Sequence, residues 1–274
     1  MRRALRGGAP LSAALLVTVV SLAPIFWMVA TSFKPPGEYV STSLRLWPRD
    51  PTLVHYRELF AEGFLARLWN SLVVTAGSTA LAILAAFPAA YALARLRFPA
   101  RLDAAFLLLV LIVKLLPPIV VAVPLFQILR GLGLLDSLPG LILAYQVYTL
   151  PFAIWMLLGF VREVPWELEE AAMLDGAGLP RRLLLIVAPV MRAGIAATAV
   201  FVAVLAWNEF LFALLFIQTP SRFTLPVWIA TFITEDETFW GKLMGIGLLS
   251  SLPVMLVVGY LQRWLVTGFG GTGR

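Results

Sequence analysis

Few side chains in this sequence could do chemistry. There is one histidine, His55, and no cysteine, which excludes thiol catalysis, cysteine-ligated zinc and iron–sulfur clusters. His55 lies in a polar stretch between apolar runs, so a serine–histidine mechanism at membrane depth has no base. The three lysines include only one that follows a glycine, Lys242, and Leu243 comes after it. Without Gly-x-x-x-x-Gly-Lys-Ser/Thr, nothing here cradles a nucleotide phosphate. Two ionisable residues interrupt apolar runs, Lys114 and Glu209. Charges at that depth are costly and often mark solute or ion pathways. Together with Asn208, Gln127, Tyr145, Gln146 and Tyr148 they could line a translocation path. There they would offer donors, acceptors and aromatic faces to a hydroxyl-rich solute. The same groups also suit hydrogen bonds between helices, with Lys114 snorkelling or facing another subunit. Tyr145, Gln146 and Tyr148 fit that second role better, and Asn208–Glu209 fits both equally.

The other dense cluster is Arg162-Glu-Val-Pro-Trp-Glu-Leu-Glu-Glu-Ala-Ala-Met-Leu-Asp175-Gly-Ala-Gly-Leu-Pro-Arg-Arg182. Pro165 suits the first position of a helix, and Glu167, Glu169 and Glu170 fall in early turns, where the helix dipole favours anions. Gly176 can end that helix in the left-handed region, and Pro180 can open a second. Leu168, Ala171, Ala172 and Asp175 share one face at helical spacing. The two alanines keep that face low, so a groove of another protein could approach it closely. A solvated hairpin without a partner has the same composition, and the residues alone do not choose.

The elements that position these groups follow from composition. The 274 residues are 61% apolar and 13% charged, with a mean hydropathy of +0.91. A soluble domain is nearer half apolar and a quarter charged, so a soluble enzyme, a disordered chain and a disulfide scaffold are excluded. The net charge of +6 is spread between apolar blocks and reports loop orientation, not nucleic-acid binding. A bilayer core needs roughly 20 apolar residues per helix. Six stretches qualify: 11–33, 68–94, 104–129, 138–160, 193–217 and 243–265. Lipid admits no open strand edge, and the runs lack the alternation of a membrane barrel, so the fold class is all-α integral membrane. Arg2, Arg3 and Arg6 before the first run resemble a signal peptide, but the run is too long and five more follow. The N-terminus, 95–103, 161–192 and 263–274 carry 12 Lys/Arg against 8 in 34–67, 130–137 and 218–242. Arg95, Arg97 and Arg101 crowd one short loop, and both termini are expected in the cytoplasm. The outer loop 34–67 opens with Lys34-Pro35-Pro36-Gly37 and ends in a segment suited to a short interfacial helix. Lys114 would lie ~15 Å into its span and Glu209 ~24 Å along its own, too far apart for a direct pair.

At this point the sequence resembles a known family. Glu170-Ala171-Ala172, Gly176, Ile186 and Pro189 stand at the spacing of the EAA loop of binding-protein-dependent ABC importer permeases, with Ala188 where leucine is usual. Other pieces resemble the carbohydrate branch, the group like the second membrane subunit of the maltose importer. They are Thr31-Ser32-Phe33-Lys34, Asn70-Ser71-Leu72, Ala90-Tyr91-Ala92-Leu93-Ala94-Arg95-Leu96-Arg97-Phe98-Pro99, Leu116-Pro117-Pro118, Leu132-Gly133-Leu134, Leu150-Pro151-Phe152-Ala153 and Trp207-Asn208-Glu209-Phe210. They run in family order over nearly the whole chain. The tail Gly268-Phe269-Gly270-Gly271-Thr272-Gly273 departs from the pattern.

The resemblance implies a single MetI-like permease domain over 1–274 in a bacterial or archaeal inner membrane, forming half of a sugar or polyol pathway. It implies a second homologous permease, two ATP-binding subunits that hold the ATP and magnesium, and an extracytoplasmic solute-binding protein. It also implies that loop 161–192 docks in the ATPase through Glu170, Ala171, Ala172, Asp175, Gly176, Ala177 and Pro189. This subunit would hold no cofactor and catalyse no reaction. The rival reading is an ion-coupled secondary transporter using Lys114 and Glu209. Such folds usually carry internal repeats, and none is visible here.

Overall fold

The computed structural model describes residues 8–36, 38, 45–96, 98–234 and 238–269. Arg2, Arg3, Arg6, Gly37, Arg97 and the tail residues Gly270, Gly271, Thr272 and Gly273 lie outside them. In chain order the helices are α1 Gly8–Ser32, α2 Val54–Ala61, α3 Phe64–Arg95, α4 Leu102–Leu115, α5 Pro118–Gly131, α6 Leu138–Glu163 and α7 Trp166–Leu174. They continue with α8 Leu179–Arg182, α9 Ala188–Val190, α10 Arg192–Trp207, α11 Leu211–Phe216, α12 Leu225–Ala230 and α13 Trp240–Phe269. A π-turn, Leu183–Val187, joins α8 to α9. The described residues form no sheet, only an isolated bridge between Ile233 and Thr238.

Four helical stretches are long and apolar enough to cross a membrane: Leu11–Ser32, Phe64–Arg95, Leu138–Glu163 and Trp240–Val257. Two bent pairs bring the number to six if each is one span. The first pair falls across the apolar run 104–129, and the second precedes and enters the run 193–217. The first breaks by 101° between α4 and α5. Leu116 and Pro117 are held extended, with ψ of 135° and 131°, because each precedes a proline. The second bends by 81° at Met191, before α10, and stops again at Asn208 before α11.

The contacts divide the chain into two compact units, 1–65 with 228–252 and 66–227 with 253–274. In the first, Thr31–Lys34 is a hub. Tyr56 donates to Ser32 Oγ at 2.8 Å, His55 Nε2 meets the Lys34 carbonyl at 2.8 Å, and Lys34 Nζ donates to the Arg45 carbonyl at 3.1 Å. The only histidine is therefore a buried hydrogen-bonding partner. Lys242 pairs with Glu58 of α2 at 3.0 Å and with Glu62, which follows that helix, at 2.6 Å.

The second unit carries the candidate site. Ser137 caps α6 by accepting from the Gly140 N–H at 3.1 Å, as a hydroxyl at that position does. One core joins α3 to α6 through Ala82, Ala86, Ala90, Tyr91, Ala153, Leu157 and Val161 and reaches Val187 and Met191. Small residues let the backbones approach. Gly194 does the same for α10, since a Cβ there would lie 2.5 Å from Cγ of Phe160. A second core gathers Leu129, Leu141, Tyr145, Ala206, Phe212 and Phe216.

Candidate functional site

Helix α7 starts one residue later than its composition suggests. Pro165 is the extended cap, with ψ 131°, and Trp166 opens the helix. Glu167 and Glu169 occupy the first turn, where the dipole favours them. The helix ends in a Schellman turn. Gly176 N–H donates to the Met173 carbonyl at 3.0 Å and Ala177 N–H to the Ala172 carbonyl at 2.9 Å. Gly176 has φ +77°, and a Cβ there would meet nothing within 4 Å, so the requirement for glycine is conformational. Pro180 stands in the first turn of α8. Pro189, which cannot donate, stands in the first turn of α9, which follows the π-turn directly.

The structure divides the residues expected to share a docking face. Leu168, Ala171 and Asp175 are exposed together with Glu170, whereas Ala172 turns inward and is 7% exposed. Leu174 is 87% exposed, the highest value among the described large apolar side chains.

Beside Ala172 lies a residue the sequence reading passed over as a dipole partner. Glu169 is fully buried. Its Oε2 accepts from the Tyr91 hydroxyl, and its Oε1 accepts from Arg95 Nε at 2.8 Å. Arg95 Nη2 also donates to the Val164 carbonyl at 2.6 Å, and the guanidinium lies 5.5 Å from the centre of the Trp166 ring. Removing one partner of such a buried pair leaves an uncompensated charge and costs roughly 3–5 kcal/mol. The partners are 74 residues apart in the chain, so no local spacing signals the pair. The available hint was that Glu169 and Ala172 share a face at i and i+3.

Of the polar residues of the spans, Tyr145, Tyr148, Asn208 and Glu209 lie near one another around the start of α11, and Lys114 and Gln127 lie elsewhere. Lys114 Nζ lies 5.1 Å from the centre of the Phe152 ring. Glu209 caps α11, accepting from the N–H groups of Phe212 at 2.9 Å and Ala213 at 3.2 Å. Asn208 donates to the Val204 carbonyl at 2.8 Å. Tyr145 reaches the Glu209 carbonyl at 3.5 Å, Tyr148 stacks on Phe212 at 4.8 Å, and Gln146 donates to the Ile142 and Ser78 carbonyls. Gln127 lies apart, in a cleft of about 390 Å³ lined also by Ile119, Phe126, Arg130 and Leu215. Trp207 is packed, 8% exposed.

Between α5 and α6 and after α11 the structure adds a clasp. The Asp136 carboxylate accepts from the N–H groups of Gln218 and Thr219, each at 2.9 Å, from the Thr219 hydroxyl, and from Arg222 at 2.9 Å. Burial alone would raise its pKa. The Thr219 hydroxyl, the Thr219 and Gln218 N–H groups and the Arg222 charge outweigh it and hold the carboxyl down at about 2. Nearby, Asn70 donates to the Ser221 and Phe223 carbonyls, and Ser71 Oγ accepts from the Leu225 N–H at 2.7 Å. The Asn70-Ser71 motif thus ties the start of α3 to the segment before α12.

Residues 78–270, more than half of the chain, match the family model of the binding-protein-dependent transport system inner membrane component. The chain belongs to this family. The permease is accordingly a multi-pass, non-catalytic membrane subunit of an ABC importer. It is 35% identical to the trehalose transport system permease protein SugB of Mycobacterium tuberculosis, over 92% of each chain. It is 33% identical to the diacetylchitobiose uptake system permease protein DasC of Streptomyces coelicolor, over 98% of the permease and 97% of the relative. The trehalose/maltose transport system permease protein MalG of Thermococcus litoralis is 31% identical, over 93% and 92%. The likeness is thus shared among several sugar permeases, which corrects the narrower comparison with the maltose importer subunit. A chain of the bacterial ABC transporter involved in alginate import superposes with a TM-score of 0.79 at 21% identity, covering 96% of the permease and 98% of that chain. A chain of the MetNI methionine transporter gives 0.61 at 17%, covering 76% and 95%. At those identities the agreement concerns the fold, which is MetI-like.

Proposed function

We propose that the permease forms half of the pathway of a sugar importer, for an oligosaccharide or polyol, and that α7 couples it to a separate ATPase. A second homologous permease completes the pathway, two ATP-binding subunits sit on the cytoplasmic side, and an extracytoplasmic binding protein delivers the solute. Both termini are cytoplasmic. The sugar class is supported by the full-length likeness to trehalose and diacetylchitobiose permeases. Coupling through α7 is supported by its shape: a short helix with Leu168, Glu170, Ala171 and Leu174 uncovered on its outer face and a buried anchor behind. Exposed Leu174 together with exposed Leu168 and Met173 carries the reading, because several large apolar side chains uncovered on one short helix gain on burial in a partner's groove.

The ion-coupled alternative needs Lys114 and Glu209 as a linked pair. One lies over an aromatic ring and the other caps a helix, so no observation favours it. Uptake into vesicles holding the complex with its native associates separates the two. It should persist when a protonophore and a sodium ionophore collapse the ion gradients and stop when ATP is withdrawn. Uptake driven by a gradient without ATP would overturn the proposal.

A further inference from the structure

We propose that Glu169, Arg95 and Tyr91 form a rigid joint that makes α7 and the cytoplasmic end of α3 move as one body, with Glu169 and Arg95 as positioning residues. The inference rests on the reading of α7 as the ATPase contact and extends it to how a push on α7 reaches the spans. Helix α7 has nine residues, too few to hold its own shape in water, so its orientation must come from what it is fastened to. The last turn of α3 fastens it at three consecutive points. Arg95 holds the Val164 carbonyl just before the helix, its guanidinium faces the ring of Trp166 at the first position, and Glu169 one turn on receives both Arg95 and Tyr91. The carboxylate is fully buried and the Arg95 side chain is 12% exposed, so water does not compete for these bonds. Tyr91 is in turn packed in the core that α3 shares with α6. On α8 the Nε of Arg182 is buried without a partner among the described residues. Glu167 and Glu170 point away into solvent. A displacement of α7 therefore cannot occur without carrying α3 unless the Glu169 bonds break.

The test uses the complex purified with its native ATPase. The chain contains no cysteine, so spin labels can be placed at Leu84→Cys on α3 and Glu167→Cys on α7, both exposed and neither among the residues assigned to the docking face. Distances are measured with and without a non-hydrolysable ATP analogue. The expected result is one narrow distance that the nucleotide leaves unchanged. In Glu169→Gln a second, nucleotide-dependent population should appear, and the charge swap Arg95→Glu with Glu169→Arg should reduce it. A single nucleotide-insensitive distance in Glu169→Gln would overturn the joint, even if the variant unfolds at a lower temperature, since a purely stabilising role affects only that temperature. If Glu169→Gln fails to insert, Tyr91→Phe is measured instead. It deletes one hydroxyl, and a distribution identical to the unsubstituted protein would count against the proposal. Disulfide cross-linking of Leu174→Cys alone to cysteines on the ATPase separates the two levels. A cross-link with no second population defeats the joint and leaves the coupling reading; a second population with no cross-link does the reverse.

Discussion

Gly176 and Asp136 are single residues with separable consequences. At φ +77° Gly176 has space around it but a backbone that side chains resist, by about 1–2 kcal/mol and more for a β-branched residue. Gly176→Val should leave insertion intact while ATP hydrolysis continues with reduced uptake, checked by measuring both in the same vesicles. Full uptake would show that the end of α7 does not matter. Asp136 responds to pH. Its carboxyl lies at about 2 in the folded protein against an ordinary 3.8, so the clasp contributes fully above pH 3.8 and loses its contribution as pH falls towards 2. Asp136→Asn should unfold at a lower temperature than the unsubstituted protein near neutrality, and the gap should close between those two pH values. A gap that stays constant through the window would mean the charge is not what holds the loops. Gly176 was legible in the sequence because a glycine after a helical pattern has one common use. The partners of Asp136 and Glu169 were not, because each pairs with residues more than seventy positions away and neither motif marks the other.

Helices α1, α3, α6 and α13 begin and end within a few residues of the apolar runs that suggested them, since an unbroken apolar run leaves little choice in lipid. The breaks at Pro117 and Asn208 were less legible. Prolines occur inside α1, α3, α5, α6 and α13 without ending them, and only the adjacent pair Pro117-Pro118 holds two residues extended. The inward face of α7 was missed because its large apolar residues point outward and a carboxylate points in, against the usual pattern. Leu174 belongs to this scale. Burying it in a partner would contribute about 1.5–3 kcal/mol, so Leu174→Glu should lower ATPase capture by the solubilised permease tenfold or more. Unchanged capture would remove that face from the interface. Gly194→Leu should drive α10 away from Phe160 and destabilise the protein by about 1–3 kcal/mol. A thermal-shift comparison with the unsubstituted protein reads this, and equal stability would mean the helices part freely.

For the molecule as a whole, the all-α membrane class was legible from composition and apolar runs, and the family, with the MetI-like fold it implies, from ordered motifs. The solute was not, because the polar groups of the spans are held by their local surroundings: Glu209 by backbone N–H groups of α11, Tyr148 by the ring of Phe212, Asn208 by its own helix. The chain is also open on its flanks. Over the apolar window of α1 only 6% is buried within the chain, so lipid or another subunit covers the rest. What makes such a bundle a pump is force applied from outside it, and α7 is where the force would enter. A photo-activated cross-linker placed at Leu174, with Leu84 on the opposite kind of surface as control, tests this in native membranes. The account requires an adduct with a nucleotide-hydrolysing subunit from Leu174 and none from Leu84. No such adduct from Leu174, in a complex that still takes up its solute, would contradict it.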